Sequence, residues 1–573
     1  MFMIDQADTI LLPQWTVPSF HSIAGRFPLG LEAVSLSILA NRLAPGLPAL
    51  SRHPRYWSIY TFLIKRFQNR GTHSNKTTNA ALGRYLKARE IVFGCAALMC
   101  PRHTQEPLRG VLGSDTFNPW LVRKRTLSPP ALLPTSLNGE LGNYLLQSLG
   151  GYGQVYRGAM IDLELILPAE MNPKAKFDVV YGEVGNAVAN TFAEAIAHTR
   201  FVREYLDKDD VSIPLDVVEE LGAVSCFCQL RNHEPERKLL TEVLLGRAQQ
   251  NDTKTHAQDA ATIEKRSQRT ETVRLFLDLA EQTQDFPLDE PLFRDLLYFG
   301  DSGTILWHPR QDVQGIWHQW WLIQLREVIV NALNNLFLDF VKWGVKEDGI
   351  YYPLNIDTYI RKVGTIPLPS LPGLPETDLA HVSLGKLAHI LDQHYKHPAW
   401  AFSGEAEQRE NTVISERLLV SSGTPPVVAF LTLLITQRRH AYIKQHITFS
   451  SKEQALLQEG GKDRLSTTYL FQWFEERIER DEPAIEAFAQ MIKEMIIAQH
   501  IKIALGKLPY DTFRFYDDAD GLCFAPDQSI EMSSISVRFD AVSEALYELG
   551  LIQASLTKPS HAPTQYGREV FDV

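Results

Sequence analysis

IWHQWWLIQLREVIVNALNNLFLDFVKW, residues 316 to 343, decides the fold class. Trp317, Trp321, Leu325, Val328, Leu333, Leu336, Phe340 and Trp343 recur every three to five residues, which at 3.6 residues per turn draws one broad apolar stripe along a helix. Trp320 widens that stripe. The expected element is a long helix buried in a core, with its tryptophans as core residues rather than a ligand box. A second run of the same period, DEPAIEAFAQMIKEMIIAQHIKIALGKL (481–508), offers Asp481 as a cap, Pro483 near the first turn and an apolar face from Ile485 to Ile503. His500 on it is expected as a hydrogen-bonded core or surface histidine. Alternating strand patterns are short and few, as in DTFRFY at 511–516. The chain is therefore expected to be mainly α, a multi-domain helical protein with short β elements.

Outward from these helices, breaks rich in Pro, Gly or polar residues fall at 126–139, 246–269, 365–378 and 402–411. They divide the chain into a basic N-terminal helical domain (1–130), a helical domain with a Gly-rich turn (131–245), a polar loop or linker (246–272), a central helical domain (273–402), a further helical domain (412–508) and a C-terminal module (509–573). The 573 residues are 45% hydrophobic and 22% charged, an ordinary soluble composition. The start, MFMIDQADTILL, is acidic where a signal peptide is basic, and the apolar runs IVFGCAALMC and VVAFLTLLIT are about half of what a bilayer needs. A cytoplasmic protein without membrane contact is expected. Of the five cysteines, Cys95 and Cys100 lie in an apolar run and Cys226 and Cys228 are one residue apart, so neither a disulfide framework nor C-x-x-C zinc spacing is present. They are expected as buried small hydrophobes.

The net charge of −11 hides an asymmetry. Residues 1–130 carry 16 Lys and Arg against 6 Asp and Glu, or +10, which leaves −21 for the remainder. Within residues 51–90, nine basic residues face Glu90 alone, next to Tyr56, Trp57, Tyr60 and Tyr85. Such a surface suits phosphates and stacked bases, or equally the acidic remainder of this chain or an acidic partner. The candidate nucleic-acid-binding residues are Arg52, Arg55, Lys65, Arg66, Arg70, Lys76, Arg123, Lys124 and Arg125.

The C-terminal stretch SVRFDAVSEALYELGLIQASLTKPSHAPTQYGREVF (536–571) reads as a helix with apolar Phe539, Val542, Leu546 and Leu549, stopped by Gly550 in the left-handed cap position. A strand at Leu551–Ser555, a Pro-containing wing and a closing segment follow, so the module is similar to the end of a winged helix. Arg538, Lys558 and Arg568 are its candidate DNA contacts. Asp540, Glu544, Glu548 and Glu569 repel phosphate, which favours protein docking. A similar rhythm recurs weakly over 140–205.

Catalytic patterns are incomplete wherever they begin. LGGYGQVYRGAMIDLELILP (149–168) follows the glycine-rich loop of kinases at Gly150, Gly153 and Val155, yet Ser148 replaces its first glycine and no V-A-x-K, H-R-D or D-F-G follows. It reads as a tight turn beside Tyr152 and Tyr156. EGGKDR puts Asp463 where a P-loop needs a hydroxyl, and Asp178 with Glu183 lacks a nuclease lysine because Gly185 stands there. H-E-x-x-H and G-x-S-x-G do not occur. His381, His389, His394 and His397, with Asp378 or Asp392, are the best metal candidate, and a histidine-rich surface helix explains the same letters. No catalytic residue, cofactor or metal is assigned. A metal-dependent nuclease or other hydrolase with a dispersed site stays open as the alternative.

Several separated pieces, FPLGLEAVS, HPRYWSIYTFL, GGYGQVYRGAM, RSQRTETVRLFLDL, WHQWWLIQLREVIVNALNNLF and QHIKIALGKLPYDTFRFYDDADGL ahead of LYELGLI, together resemble a family of large bacterial proteins of antiphage and antiplasmid defence systems. The resemblance spans about residues 24 to 552 and points to the Lamassu type. It implies a non-enzymatic bridging subunit that accompanies an SMC-like ATPase and a nuclease effector and meets DNA through the complex.

Overall fold

The computed structural model describes residues 27–49, 52–70, 78–103, 108–125, 132–145, 147–172, 175–248, 260–300, 305–369, 376–394, 425–508, 512–525 and 535–570. Within them the protein is mainly helical, its strands form short two-stranded sheets, and no helix is long and apolar enough to cross a membrane. α1 (Arg55–Asn69) buries Tyr56, Ile59, Tyr60, Leu63, Ile64 and Phe67, at helical steps of one, three and four residues. α2 (Asn79–Leu98) is buried on nearly every side over its second half. α3 (Ser114–Arg125) ends in Arg123, Lys124 and Arg125, the charge sign that its C-terminal carbonyls favour. There follow α4 (Gly182–Ile196), α5 (Leu215–Ser225), α6 (Glu234–Leu244) and α7 (Ala260–Gln282).

The tryptophan-rich run at 316–343 lies within α8 (Gln314–Lys346), 33 residues and so about 50 Å long. α9 (Ala484–Met491) runs on through a π-helical segment, Ile492–Ala498, into α10 (Gln499–Leu505). The expected cap Asp481 stays outside α9, at φ 50°, and Pro483 takes the capping place. The last long element is α11 (Phe539–Glu548). β1 (Leu132–Pro134) pairs antiparallel with β4 (Ser212–Pro214), β2 (Ile166–Leu167) with β3 (Val179–Val180), and β5 (Phe515–Asp518) with β6 (Gly521–Phe524). Of the expected strand DTFRFY, only Phe515 and Tyr516 enter β5.

The chain divides into two compact units, each gathered from distant stretches. The larger comprises residues 39–293, 307–317 and 536–573. In it α1 lies along α4, and α2 along α5. The second pair comes close because Gly222 has no side chain: a Cβ there would sit 2.2 Å from the Ala96 carbonyl oxygen. Tyr56 and Tyr60 of α1 meet Tyr156 and Tyr152 at ring-centroid distances of 4.7 and 5.5 Å. Arg269 of α7 is 1% exposed and donates to the carbonyls of Val243 and Leu244, closing the end of α6. After α11 the chain runs out and back as a small wing, with Ile552 bridging Pro563. The strand expected over Leu551–Ser555 shrinks to this bridge: Gln553 donates to the Ala562 carbonyl and Thr564 to the Leu551 carbonyl, but the amide of Ser560, earlier on the returning arm, donates to the Gln284 carbonyl instead.

The smaller unit comprises residues 1–38, 294–306 and 318–535. From Trp320 onward the apolar stripe of α8 is buried there, and so is its polar side: Gln324, Arg326, Glu327 and Asn334 are at most 4% exposed. Their partners come from afar. Arg326 donates to the carbonyls of Leu31, Arg464 and Leu465 at 3.2–3.4 Å, and Asn334 donates to Glu32 at 2.7 Å. His500 is a buried core histidine, with Nδ1 donating to the Pro28 carbonyl and Nε2 accepting from the Arg514 amide. Burial lowers its pKa to about 4, so it is neutral.

Candidate functional site

A polar cleft of about 640 Å³ opens in the larger unit beside α11 and its wing. Asp540, Glu544 and Glu548 project from α11 on one side, and His53, Arg109 and Arg231 face them. The geometry begins at His53, which precedes α1 and is 3% exposed. Its ring stacks on Phe227 at 4.3 Å. Nδ1 meets a Glu548 carboxylate oxygen at 2.7 Å and Nε2 meets the Arg109 carbonyl at 2.6 Å. With Glu548 ionised both partners are acceptors, and the ring then donates to each of them. Burial opposes a charge on the ring, but the charge and hydrogen bond of Glu548 outweigh it and raise the pKa. With both nitrogens engaged, His53 has none left to take a proton from a substrate. Glu544 is raised as well, by burial and by the neighbouring Glu548.

The basic stretch is largely answered from within the same unit. Arg55, expected on a nucleic-acid surface, is 1% exposed, pairs with Glu236 at 3.0 Å and donates to the carbonyls of Val224 and Cys226. It is a core residue: α1 buries this face, and a guanidinium inside needs a carboxylate and carbonyls around it. Arg52 pairs with Asp540, Arg66 with Asp207, and Arg70 with Asp207 and Asp209. Lys65 donates to Asn190, and Arg123 pairs with Glu140. Lys124 and Arg125 close α3, Arg125 exposed and Lys124 half-buried. Lys76 lies outside the described residues. In the C-terminal module, Arg538 is 8% exposed and donates to the Leu47 carbonyl, so it is not open to a phosphate; Arg568 pairs with Glu281, and Lys558 lines the cleft.

The glycine stretch, expected as a tight turn, bends only at Gly150 and then enters a helix, π-helical over Tyr152–Tyr156 and α-helical over Arg157–Asp162, whose first amides hold a carboxylate from the same chain. Gly150 has φ 64°, and the amides of Gly151 and Tyr152 each donate to the Glu90 carboxylate at 3.0 Å, joined by the Tyr144 hydroxyl. A side chain fills the place that a phosphate takes in the loop it resembles. Asp178, the nearest match to a nuclease carboxylate, is fully buried and held by Arg157, Tyr152 and the Ala169 amide. Asp463 of EGGKDR pairs with Lys502. Of the histidine group, His381 pairs with Asp378 and His389 meets Gln393, both at the surface; the His394 side chain and His397 lie outside the described residues.

One grouping is not apparent in the sequence. Cys100, His103, Cys226 and Cys228 place their ligand atoms within 4.8 Å of one another at the edge of the cleft. Cys226 is the residue at which α5 ends, and Cys100 follows α2, so the close packing of these two helices brings their ends together. Hydrogen bonds from Cys226 and Cys228 lower the pKa of Cys100. Cys95, by contrast, is the buried small hydrophobe expected of it. The available signal was two short pairs, C-P-R-H at 100–103 and C-F-C at 226–228. Comparisons with protein families, with curated proteins and with solved structures find no match to this chain.

Proposed function

We propose that this chain is a non-enzymatic bridging and scaffold subunit of a bacterial complex directed against phages or plasmids, joining an SMC-like ATPase, a nuclease effector and DNA. The observation that carries this reading is that, among the described residues, most of the places where the sequence offers chemistry are filled by the chain itself. Glu90 holds the amides of the glycine turn, Asp207 and Asp209 hold Arg66 and Arg70, and Glu548 with a carbonyl holds His53. Groups tied in this way stiffen a frame and fix its surfaces. The cleft beside α11, acidic on one wall and cationic at Arg109 and Arg231 on the other, suits a polar segment of a partner protein. Contact with DNA falls to the end of α3, at Lys124 and Arg125 beside Arg123, with Lys65, Arg66 and Arg70 exchanging their present partners for phosphates.

Expression with its genomic neighbours tests the reading. The chain is expected to elute in one complex with an ATPase and a nuclease, and the isolated chain is expected to leave supercoiled plasmid intact with Mg²⁺ or Mn²⁺. Plasmid cleavage by the isolated chain would replace the scaffold by a hydrolase with a dispersed site.

A further inference from the structure

We infer that Cys100, His103, Cys226 and Cys228 form a structural zinc site that clamps the end of α2 to the end of α5. The site stands independently of the scaffold role. Three observations meet here. The first is the donor set: three thiols and one imidazole, from two stretches more than a hundred residues apart, offer four ligand atoms mutually within 4.8 Å. Soft sulfur with imidazole selects zinc over magnesium or calcium. The second is spacing. The sulfurs of Cys100 and Cys228 are 3.8 Å apart. Zinc bound tetrahedrally at about 2.3 Å from each sulfur sets two sulfurs about 3.8 Å apart, whereas a disulfide draws them to about 2.05 Å.

The third observation is an unanswered nitrogen. His103 Nε2 is buried and has no hydrogen-bond partner, although the 3₁₀ turn Pro101–His103 is shaped to bring the residue back, its amide donating to the Cys100 carbonyl at 3.1 Å. Burying such an atom is costly unless something binds it, and a metal ion does. Four protein ligands leave no open coordination position, so the ion holds structure and activates no water. Each half of the site is a short chelate: Cys-x-x-His across one turn and Cys-x-Cys across the junction of α5 with the 3₁₀ segment Phe227–Asn232. The consequence reaches the cleft, because His103 and Cys228 also line it and Arg109, the hydrogen-bond acceptor of His53, lies six residues after His103.

The test uses the full-length chain purified without chelator or metal-affinity resin. Elemental analysis is expected to find about one zinc per chain, and Cys226→Ser/Cys228→Ser is expected to lose it. Should that variant fail to fold, the wild-type protein answers alone: exchange of zinc for Co²⁺ is expected to give the intense visible absorption of tetrahedral, thiolate-bound cobalt. His103→Ala is expected to retain the fold and weaken zinc affinity by about tenfold or more. Less than about 0.2 zinc per chain together with no cobalt absorption overturns the site. Zinc retained at full occupancy in a folded Cys226→Ser/Cys228→Ser protein overturns it too, as does a Cys100–Cys228 disulfide in protein purified anaerobically.

Discussion

Arg55 and Glu327 are two charged residues inside the protein, and their surroundings give them opposite behaviour. Arg55 has Glu236 within 3.0 Å and two carbonyls in reach, so its burial is compensated. Truncating Glu236 to Ala leaves the guanidinium without its carboxylate and is expected to cost about 3–5 kcal/mol. Replacing the pair by Arg55→Met/Glu236→Leu is expected to cost less, which a double-mutant cycle from urea unfolding measures. Glu327 of α8 is fully buried, and burial pushes its pKa up to about 7 despite the nearby Arg294. Its folded-state pKa lies above the unfolded value of 4.5, so the stability tied to its proton is complete below pH 4.5 and is lost as pH rises through about 7. Glu327→Gln is expected to gain about 3 kcal/mol at pH 8 relative to the parent. Melting temperatures at pH 5 and pH 8 check this: the variant gains at pH 8 and changes little at pH 5. His53 acts with the same sign: its raised pKa contributes stability below pH 6.5 that is lost as pH rises through the folded value.

At the scale of elements, the glycine turn and α8 show what a pattern does and does not reveal. The turn was readable as a Gly-permitted bend, because Gly150 needs the left-handed region. That it encloses a carboxylate was not readable, since Glu90 comes from α2 some sixty residues earlier. A Cβ on Gly150 would lie 2.5 Å from that carboxylate. Gly150→Ala is therefore expected to cost at least about 1–2 kcal/mol from backbone conformation alone, and Glu90→Ala about 1–3 kcal/mol by stranding two buried amides. Chemical denaturation of the two variants checks both. In α8 the apolar period identified the helix and its core face. Its buried polar side carries no such period, because Arg326 and Asn334 are inside only by virtue of carbonyls and a carboxylate supplied from residues 31–32 and 464–465. The zinc ligands were hidden in the same manner. Each pair is too short to form a complete ligand pattern, and only the packing of α2 on α5 unites them.

At the scale of the molecule, the charge asymmetry of the sequence has a different meaning from the one its sign suggests. Arg52, Arg66, Arg70 and Arg123 face carboxylates of the same unit, and these pairs are partly exposed, worth little each and open to exchange. Lys124 and Arg125 at the end of α3 are the test of the DNA assignment. In the assembled complex, Arg123→Ala/Lys124→Ala/Arg125→Ala is expected to weaken binding equally on all DNA sequences and to flatten the salt slope by about 0.9 for each phosphate no longer neutralised. An unchanged slope removes α3 from the DNA surface. The helical class, the long core helix and the bend at the glycines were legible in the order of residues, because periodicity and backbone freedom are local properties. The tertiary structure alone decided which charges are answered, what the glycine amides hold and which cysteines meet a histidine. Those outcomes depend on groups brought together from hundreds of residues apart, and burial then sets the energy of each one.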